Sequence, residues 1–326
     1  MAGFPGTGKI WMNGKLVDWK DANIHIATHV IHYGSGVFEG ARCYETPKGS
    51  ACFRLEPHMR RLMESAKIYR MEYSLDLQGW MDAVLETIRA NEMKSCYIRP
   101  LVYRGYKELG VNPTGNPVDA AIMVWDWGAY LGGAAVEDGA DVKVSSWNRM
   151  APNTLPALAK TTANYANSQL IKMEALADGY SEGIALDVNG NLSEGSGQNI
   201  FVVRGGQLLT PPLGSSVLGG ITRDCIMTLA REAGYTVTES VLPRELLYIA
   251  DEVFFVGTAS EVTPVRSVDK IKVGNGKPGS VTKALRTAFF KVINGEVPDR
   301  HGWLTYVYPG EAGLRERPKA VATGGR

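Results

Sequence analysis

The chain has 326 residues, more than one hydrophobic core usually serves, so a globular protein of two domains is expected. Lysine and arginine (35) nearly balance aspartate and glutamate (34), and a net charge of +1 excludes a general binder of nucleic acid or acidic membrane, since both need a strong basic excess. No apolar run approaches the roughly 18 residues of a membrane span and the opening residues lack a signal-peptide core, so a cytoplasmic location is expected.

In chain order, the first strand-like runs are "KIWMNGKLVDW", "GVFEGARCYET" and "ACFRLE". A helix follows from Pro57, with proline in its first turn and Met59, Leu62, Met63, Ala66 and Tyr69 on one face. A second helical stretch, "LQGWMDAVLETIRANEM", leads into the strands "SCYIRPLVYRG" and "DAAIMVWDW". The glycine-rich "GAYLGGAAVEDGAD" reads as a linker. The expected division is a small N-terminal α/β domain at 1–126, a linker at 127–140, a large C-terminal domain at 141–308 and a polar tail at 309–326.

The second part opens with the strand "VKVSSW". After Lys160, the residues Ala166, Leu170, Met173 and Ala177 recur at helical spacing, and Gly179 ends that helix. "GIALDVNGNLSEGSGQNIFVVRGGQLLT" holds three strand-like runs separated by Asn-Gly and Gly-Gly, so antiparallel sheet is expected. A helix from about Thr222 to Gly234 and the strand "EVFFVGTAS" complete a mixed α+β pattern.

Several motifs fail. "GFPGTGKI" has Ile10 where a P-loop needs Ser or Thr, and no strand precedes it. "GSGVFEG" continues as a strand rather than a helix, which is wrong for a dinucleotide fingerprint. His25, His29 and His32 have no accompanying carboxylate or thiol cluster and read as structural, so no metal is expected. Cys43, Cys52, Cys96 and Cys225 form neither a C-x-x-C pair nor a disulfide framework and read as packing.

One stretch stands out. In "NTLPALAKTTANY", Lys160 sits alone among small, apolar and uncharged residues, with Arg149 and Lys172 as the nearest other charges. Such a setting predicts partial burial, which favours a nucleophilic amine of the kind that forms a Schiff base with pyridoxal phosphate. That cofactor needs an anchored phosphate, an acid at its ring nitrogen and a donor near its ring hydroxyl. "LGGITRD" offers the amides of Ile221 and Thr222 and the Thr222 hydroxyl at a positive helix end, and "GTAS" at Gly257 to Ser260 offers a second turn. Arg61 adds charge, Glu194 in "NLSEGSGQN" supplies a carboxylate among small residues, and Tyr165 lies in the first turn of the helix after Lys160. Strand alternation puts Phe38, Gly40 and Arg42 on one face and Tyr97 and Arg99 on another. Each feature also has an ordinary reading, as a helix start, a solvated arginine, a surface turn glutamate or core packing, and the residues alone leave both open.

From "KIWMNGKLVDW" to "GWLTYV" the chain resembles the fold-type IV pyridoxal-phosphate enzymes, most closely the branched-chain amino-acid aminotransferases. The match is carried by "HYGSGVFEGARCY", "YIRPLVYRG", "WGAYLG", "SSWNRMAPNTLPALAKTTANY", "ALDVNGNLSEGSGQN", "GITRD" and "ADEVFFVGTASEVTPVRSVD". The resemblance implies the two-domain fold of D-amino-acid-aminotransferase-like enzymes, pyridoxal 5'-phosphate, and ping-pong transamination of leucine, isoleucine and valine with 2-oxoglutarate. It makes Lys160 the Schiff-base lysine, Glu194 the ring-nitrogen partner and Tyr165 the ring-oxygen contact. The phosphate falls to Arg61, Ile221, Thr222 and Thr258, with Leu218 also against the cofactor. Tyr97, Thr258 and Ala259 take the substrate α-carboxylate and Arg99 the second carboxylate of 2-oxoglutarate, while Tyr33, Phe38, Gly40, Arg42 and Tyr130 complete the substrate side. A homodimer or higher homo-oligomer is implied as well. Gln198 departs from the glutamate of many relatives, and the tail is longer than usual. The rivals of the same fold are a D-amino-acid or (R)-amine transaminase and an aminodeoxychorismate lyase.

Overall fold

The computed structural model describes Phe4 and residues 6–128 and 138–308; Tyr130, most of the expected linker and the expected tail lie outside these described residues. Two sheets organise them. The first has eight strands in the order Leu304–Tyr306, Gly49–Phe53, Ala41–Thr46, Cys96–Arg104, Val118–Trp125, Lys9–Met12 and Lys15–Asp18, with Gly36–Phe38 also paired to Cys96–Arg104. All its pairings are antiparallel. The first hairpin closes through Asn13 (φ 48°) and Gly14 (φ 86°), the left-handed pair that a two-residue turn requires.

Two helices cover this sheet, Leu55–Ile68 and Leu77–Ala90. Met59, Leu62, Trp80, Val84 and Ile88 pack from them onto Ile98, Val102 and Ile122. Pro57 lies in the first turn of its helix, where a missing N–H leaves no bond unmade. The Leu77–Ala90 helix is capped by Asp76, whose carboxylate accepts from the Gly79 N–H at 2.8 Å. Cys43 is directly opposite both Cys52 and Cys96, so three buried thiols form a row across adjacent strands and serve as packing.

The second sheet has nine strands, ordered Leu192–Gly195, Glu182–Leu186, Ala140–Val144, Glu261–Val268, Glu252–Gly257, Asn199–Arg204, Gln207–Thr210 and Val237–Glu239, with Ile271–Lys272 on the edge of Glu261–Val268. The helices Ile221–Glu232 and Ser280–Ile293 pack on one face through Ile226, Leu229, Leu285 and Phe289. The expected antiparallel hairpin at Gly205 and Gly206 is present, with both glycines at positive φ. Three pairings are parallel, however, because Ala140–Val144 lies between two strands running its own way and Val237–Glu239 follows Gln207–Thr210.

Three local differences from expectation have physical causes. The run "GVFEGARCYET" breaks at Glu39 and Gly40, since the Glu39 side chain turns into the interior. Four strands stand where three runs were read, because Ser196–Gln198 forms a turn inside the middle run, closed by Gly195 N–H donating to Gln198 O at 2.7 Å. The helix Asn164–Ala177 forms and is closed by Gly179 (φ 79°), but Ala166, Leu170, Met173 and Ala177 face outward. Its inner face is Asn164, Ser168, Ile171 and Ala175.

The halves are sewn together at two places. Leu304–Tyr306, expected with the second domain, pairs instead with Gly49–Phe53, so that Leu304 faces Phe53 and Tyr306 faces Ala51. At the other place, Phe38 N–H donates to Lys160 O at 2.9 Å and Val37 bridges to Thr161. The segment carrying Lys160 is thus fastened to the first sheet while its helix packs on the second.

Candidate active site

Lys160 is fixed before its side chain begins. Its N–H donates to Ser65 Oγ at 3.0 Å, Thr161 Oγ1 donates to Gly36 O at 2.9 Å and Thr162 Oγ1 to Gly34 O at 2.7 Å. The side chain is half-buried, as its setting predicts, and enters a cavity of about 270 Å³ between the two sheets. Nζ donates to Tyr165 Oη at 2.7 Å and lies 5.2 Å from the centres of both the Phe38 and Tyr165 rings.

The start of the Ile221–Glu232 helix lines this cavity. Asp224 N–H makes the first intrahelical bond, to Gly220 O, so the amides before it are open to a ligand at the positive end of the helix. Thr222 and Thr258 line the same cavity. Arg61 approaches from the Leu55–Ile68 helix, donating through NH1 to Gly219 O at 2.7 Å.

Arg61 is held by a residue that sequence reading passed over. Glu39 is fully buried and accepts Arg61 Nε at 2.6 Å and NH2 at 2.9 Å, a forked pair. It also hydrogen-bonds His58 Nδ1 at 2.7 Å and accepts Gly40 N–H at 3.1 Å. Burial alone would raise the Glu39 carboxyl, but the charges of Arg61 and His58 and their hydrogen bonds override it and hold the group well below the usual carboxylate range. Burial pushes the His58 imidazole down. Glu39 directly follows the Gly36–Phe38 strand, and His58 and Arg61 share one face of the next helix at i, i+3.

Glu194, on Leu192–Gly195, lines the same cavity. Oε2 accepts Asn199 Nδ2 at 3.0 Å and Leu218 N–H at 3.1 Å, and Oε1 is 3.0 Å from Arg149 NH2. Burial raises this carboxyl, opposed chiefly by Arg149. Asn199 and Arg149 were likewise unread, and both line the cavity.

The remaining wall belongs to the first sheet. Tyr97 is stacked edge-on against Trp127 at 4.6 Å, and Gly40 leaves the space that the Tyr97 hydroxyl occupies. Arg99 has its guanidinium carbon 4.8 Å from the Phe38 ring centre, 5.3 Å from Tyr97 and 5.6 Å from Trp125. Its buried Nε makes no hydrogen bond among the described residues. Arg42 is not in this wall; it stands behind the Gly257–Ser260 turn, donating to the carbonyls of Thr258, Ala259 and Gly128. Tyr33 is 45% exposed and also outside the wall, and Tyr130 lies beyond the described residues. Phe38, Gly40, Arg61, Tyr97, Arg99, Lys160, Tyr165, Glu194, Leu218, Ile221, Thr222, Thr258 and Ala259 all meet in the one cavity. The three histidines of the failed motif serve locally, His29 bridging Ser35 Oγ and Gly110 O, His32 bonding Ile26 O and His25 tilted against Tyr106.

A family model described as amino-transferase class IV matches residues 36–268. The chain is 54% identical over 299 residues to the branched-chain-amino-acid aminotransferase of Escherichia coli (strain K12), a match spanning 91% of this chain and 97% of that protein. A crystal structure of the Escherichia coli branched-chain amino acid aminotransferase is similar with a TM-score of 0.91 and 53% identity, over 93% of this chain and 100% of that one. The branched-chain aminotransferase of the thermophilic archaeon Thermoproteus uzoniensis, solved with norvaline, gives 0.89 and 38%, over 93% and 100%.

Proposed function

Because the chain belongs to the class IV aminotransferases and has their fold-type IV architecture, we propose that it transaminates branched-chain L-amino acids with 2-oxoglutarate in the cytoplasm, using pyridoxal 5'-phosphate held at Lys160. The observation that carries this reading is convergence: a lysine amine, a buried carboxylate and an open helix N-terminus line one cavity. Those are the amine, acid and anion site that such a cofactor requires.

The bound cofactor supplies an electrophilic carbonyl and a conjugated ring that accepts the electron pair left at the substrate Cα. The amides of Ile221 and Thr222, the hydroxyls of Thr222 and Thr258 and the guanidinium of Arg61 hold the phosphate. Glu194 keeps a proton at the ring nitrogen, and Leu218 packs nearby. Tyr165 would donate toward the ring oxygen and orients Lys160, whose Nζ would carry the proton between the substrate Cα and the cofactor's carbonyl carbon.

Tyr97 and the Thr258–Ala259 turn receive the α-carboxylate common to every substrate. Phe38 and Trp127 exclude water from an aliphatic side chain. Arg99, its Nε without a partner among the described residues, receives the second carboxylate of 2-oxoglutarate or glutamate beside that apolar wall. The exposed apolar stripe on Asn164–Ala177 and the exposed Tyr33 support a homo-oligomer, in which Tyr33 meets a pocket only by reaching one in another copy.

The test is a two-substrate assay of 2-oxo acid formation, with kcat/KM compared for L-leucine, D-alanine and 1-phenylethylamine. L-Leucine should be preferred, and borohydride reduction followed by mass analysis should place the pyridoxyl group on Lys160. Preference for D-alanine or the amine, or a label on another lysine, overturns the reading.

A further inference from the structure

Glu194 cannot hold both its place and its charge unaided. It is 6% exposed, and burial drives it toward the neutral acid; what opposes this is first the charge of Arg149, then the Leu218 N–H, Lys160 and Arg61. Of those three cations only Arg149 makes an ion pair with Glu194, at 3.0 Å. Arg61 is committed to Glu39, and the Lys160 amine to the Tyr165 hydroxyl.

Arg149 is itself tightly placed. It is 5% exposed, and its NH1 donates to Asn167 Oδ1 at 3.1 Å and Ser168 Oγ at 3.2 Å, both on the helix that begins just after Lys160 and carries Tyr165. Its backbone N–H donates to Leu186 O at 2.8 Å, at the end of the strand paired with Leu192–Gly195. One guanidinium therefore joins the helix that positions Tyr165 to the strand that positions Glu194.

We propose that Arg149 is the positioning residue for Glu194, fixing the carboxylate from the Oε1 side while Asn199 and Leu218 fix it from the Oε2 side. The proposal rests on the reading that Glu194 faces the ring nitrogen of pyridoxal phosphate. A carboxylate so held stays in line, Arg149 opposes the upward pull of burial on its pKa, and an anionic partner keeps the ring nitrogen protonated. Without Arg149 the upward pull of burial is opposed less, and the acid holds its proton to higher pH.

The experiment follows Glu194 in the apoprotein, by infrared difference spectra against pH, with Glu194→Gln identifying the protonated carboxyl band. The charged groups facing Glu194 are Arg149, Lys160 and Arg61, so only the first is varied. Arg149→Met should raise the midpoint of deprotonation by at least about one pH unit, and Arg149→Lys, which keeps the charge but loses the fork, should raise it less. A midpoint equal to wild type in Arg149→Met overturns the proposal; should that variant fail to fold, a wild-type midpoint in Arg149→Lys does so. Borohydride reduction of the reconstituted wild type separates the two possible failures. A pyridoxyl group absent from Lys160 overturns the functional reading, whereas its presence with an unmoved Glu194 midpoint overturns only the role of Arg149.

Discussion

The guanidinium of Arg42 grips the carbonyl of Thr258, with Nε donating at 3.0 Å. In a trans peptide the carbonyl and the following N–H point in opposite directions, so this bond turns the Ala259 N–H away from Arg42. Arg42 thus stands behind the turn and sets the direction of its amide. A second bond, from NH2 to Ala259 O at 3.2 Å, fixes the next peptide in the same way.

Arg42→Ala should therefore raise KM for every carboxylate substrate alike, by about tenfold, the magnitude of one charge-assisted hydrogen bond. Leucine and 2-oxoglutarate share the α-carboxylate, so their losses should agree. A loss confined to one of them would place Arg42 in side-chain recognition instead.

Arg99→Ala should do the opposite and discriminate. The guanidinium lies among three aromatic rings with its Nε unpaired among the described residues, so an incoming carboxylate meets a donor without displacing a partner. Removing it should weaken 2-oxoglutarate by about tenfold or more while sparing leucine. Steady-state kcat/KM for the two substrates is the measurement, and equal losses would remove Arg99 from this role.

A Cβ added at Gly40 would fall on the hydroxyl oxygen of Tyr97, a buried ring that Trp125 and Trp127 hold at 5.0 and 4.6 Å. Gly40→Ala should cost about 1 to 3 kcal/mol in urea unfolding and should raise KM by displacing the tyrosine hydroxyl. The double variant Gly40→Ala, Tyr97→Phe should recover the stability but not the KM. Recovery of both would mean that Tyr97 only packs.

The Glu39 ion pair predicts a pH window. Its folded-state pKa lies below the ordinary 4.5, so its stabilisation is complete above that value and declines as the pH falls through and below it. Glu39→Gln leaves Arg61 buried without its partner and should cost about 3 to 5 kcal/mol at pH 7. The gap between the two proteins in urea unfolding should be constant above about pH 5 and shrink by about 1.4 kcal/mol per unit below pH 4. A gap that stays constant down to pH 3 would show that Glu39 titrates alike in the folded and unfolded protein, so that the ion pair does not stabilise the fold.

What the sequence made legible follows from range. The turns at Asn13–Gly14 and Gly205–Gly206 depend on two residues each, and the isolation of Lys160 is visible within a dozen. The face buried by Asn164–Ala177 was misleading, because an apolar stripe announces helical period without saying which surface covers it. Glu39 was illegible for another reason. A lone carboxylate at the end of a strand carries no periodicity, and its partners His58 and Arg61 belong to a helix that only folding brings to it. Arg149 and Asn199 are like it, since their importance is a property of Glu194's surroundings rather than of their own neighbours in sequence.

The pairing of Leu304–Tyr306 with Gly49–Phe53 has a consequence in time as well as space. Its partners are roughly 250 residues apart in sequence, so during synthesis the outer edge of the first sheet waits until all the residues between them have been made. Throughout that interval Gly49–Phe53 presents unpaired backbone groups, the template on which chains join one another when they should not. Completion of the first half therefore belongs to the last stage of folding, and the nascent protein depends on its far end to close its own beginning.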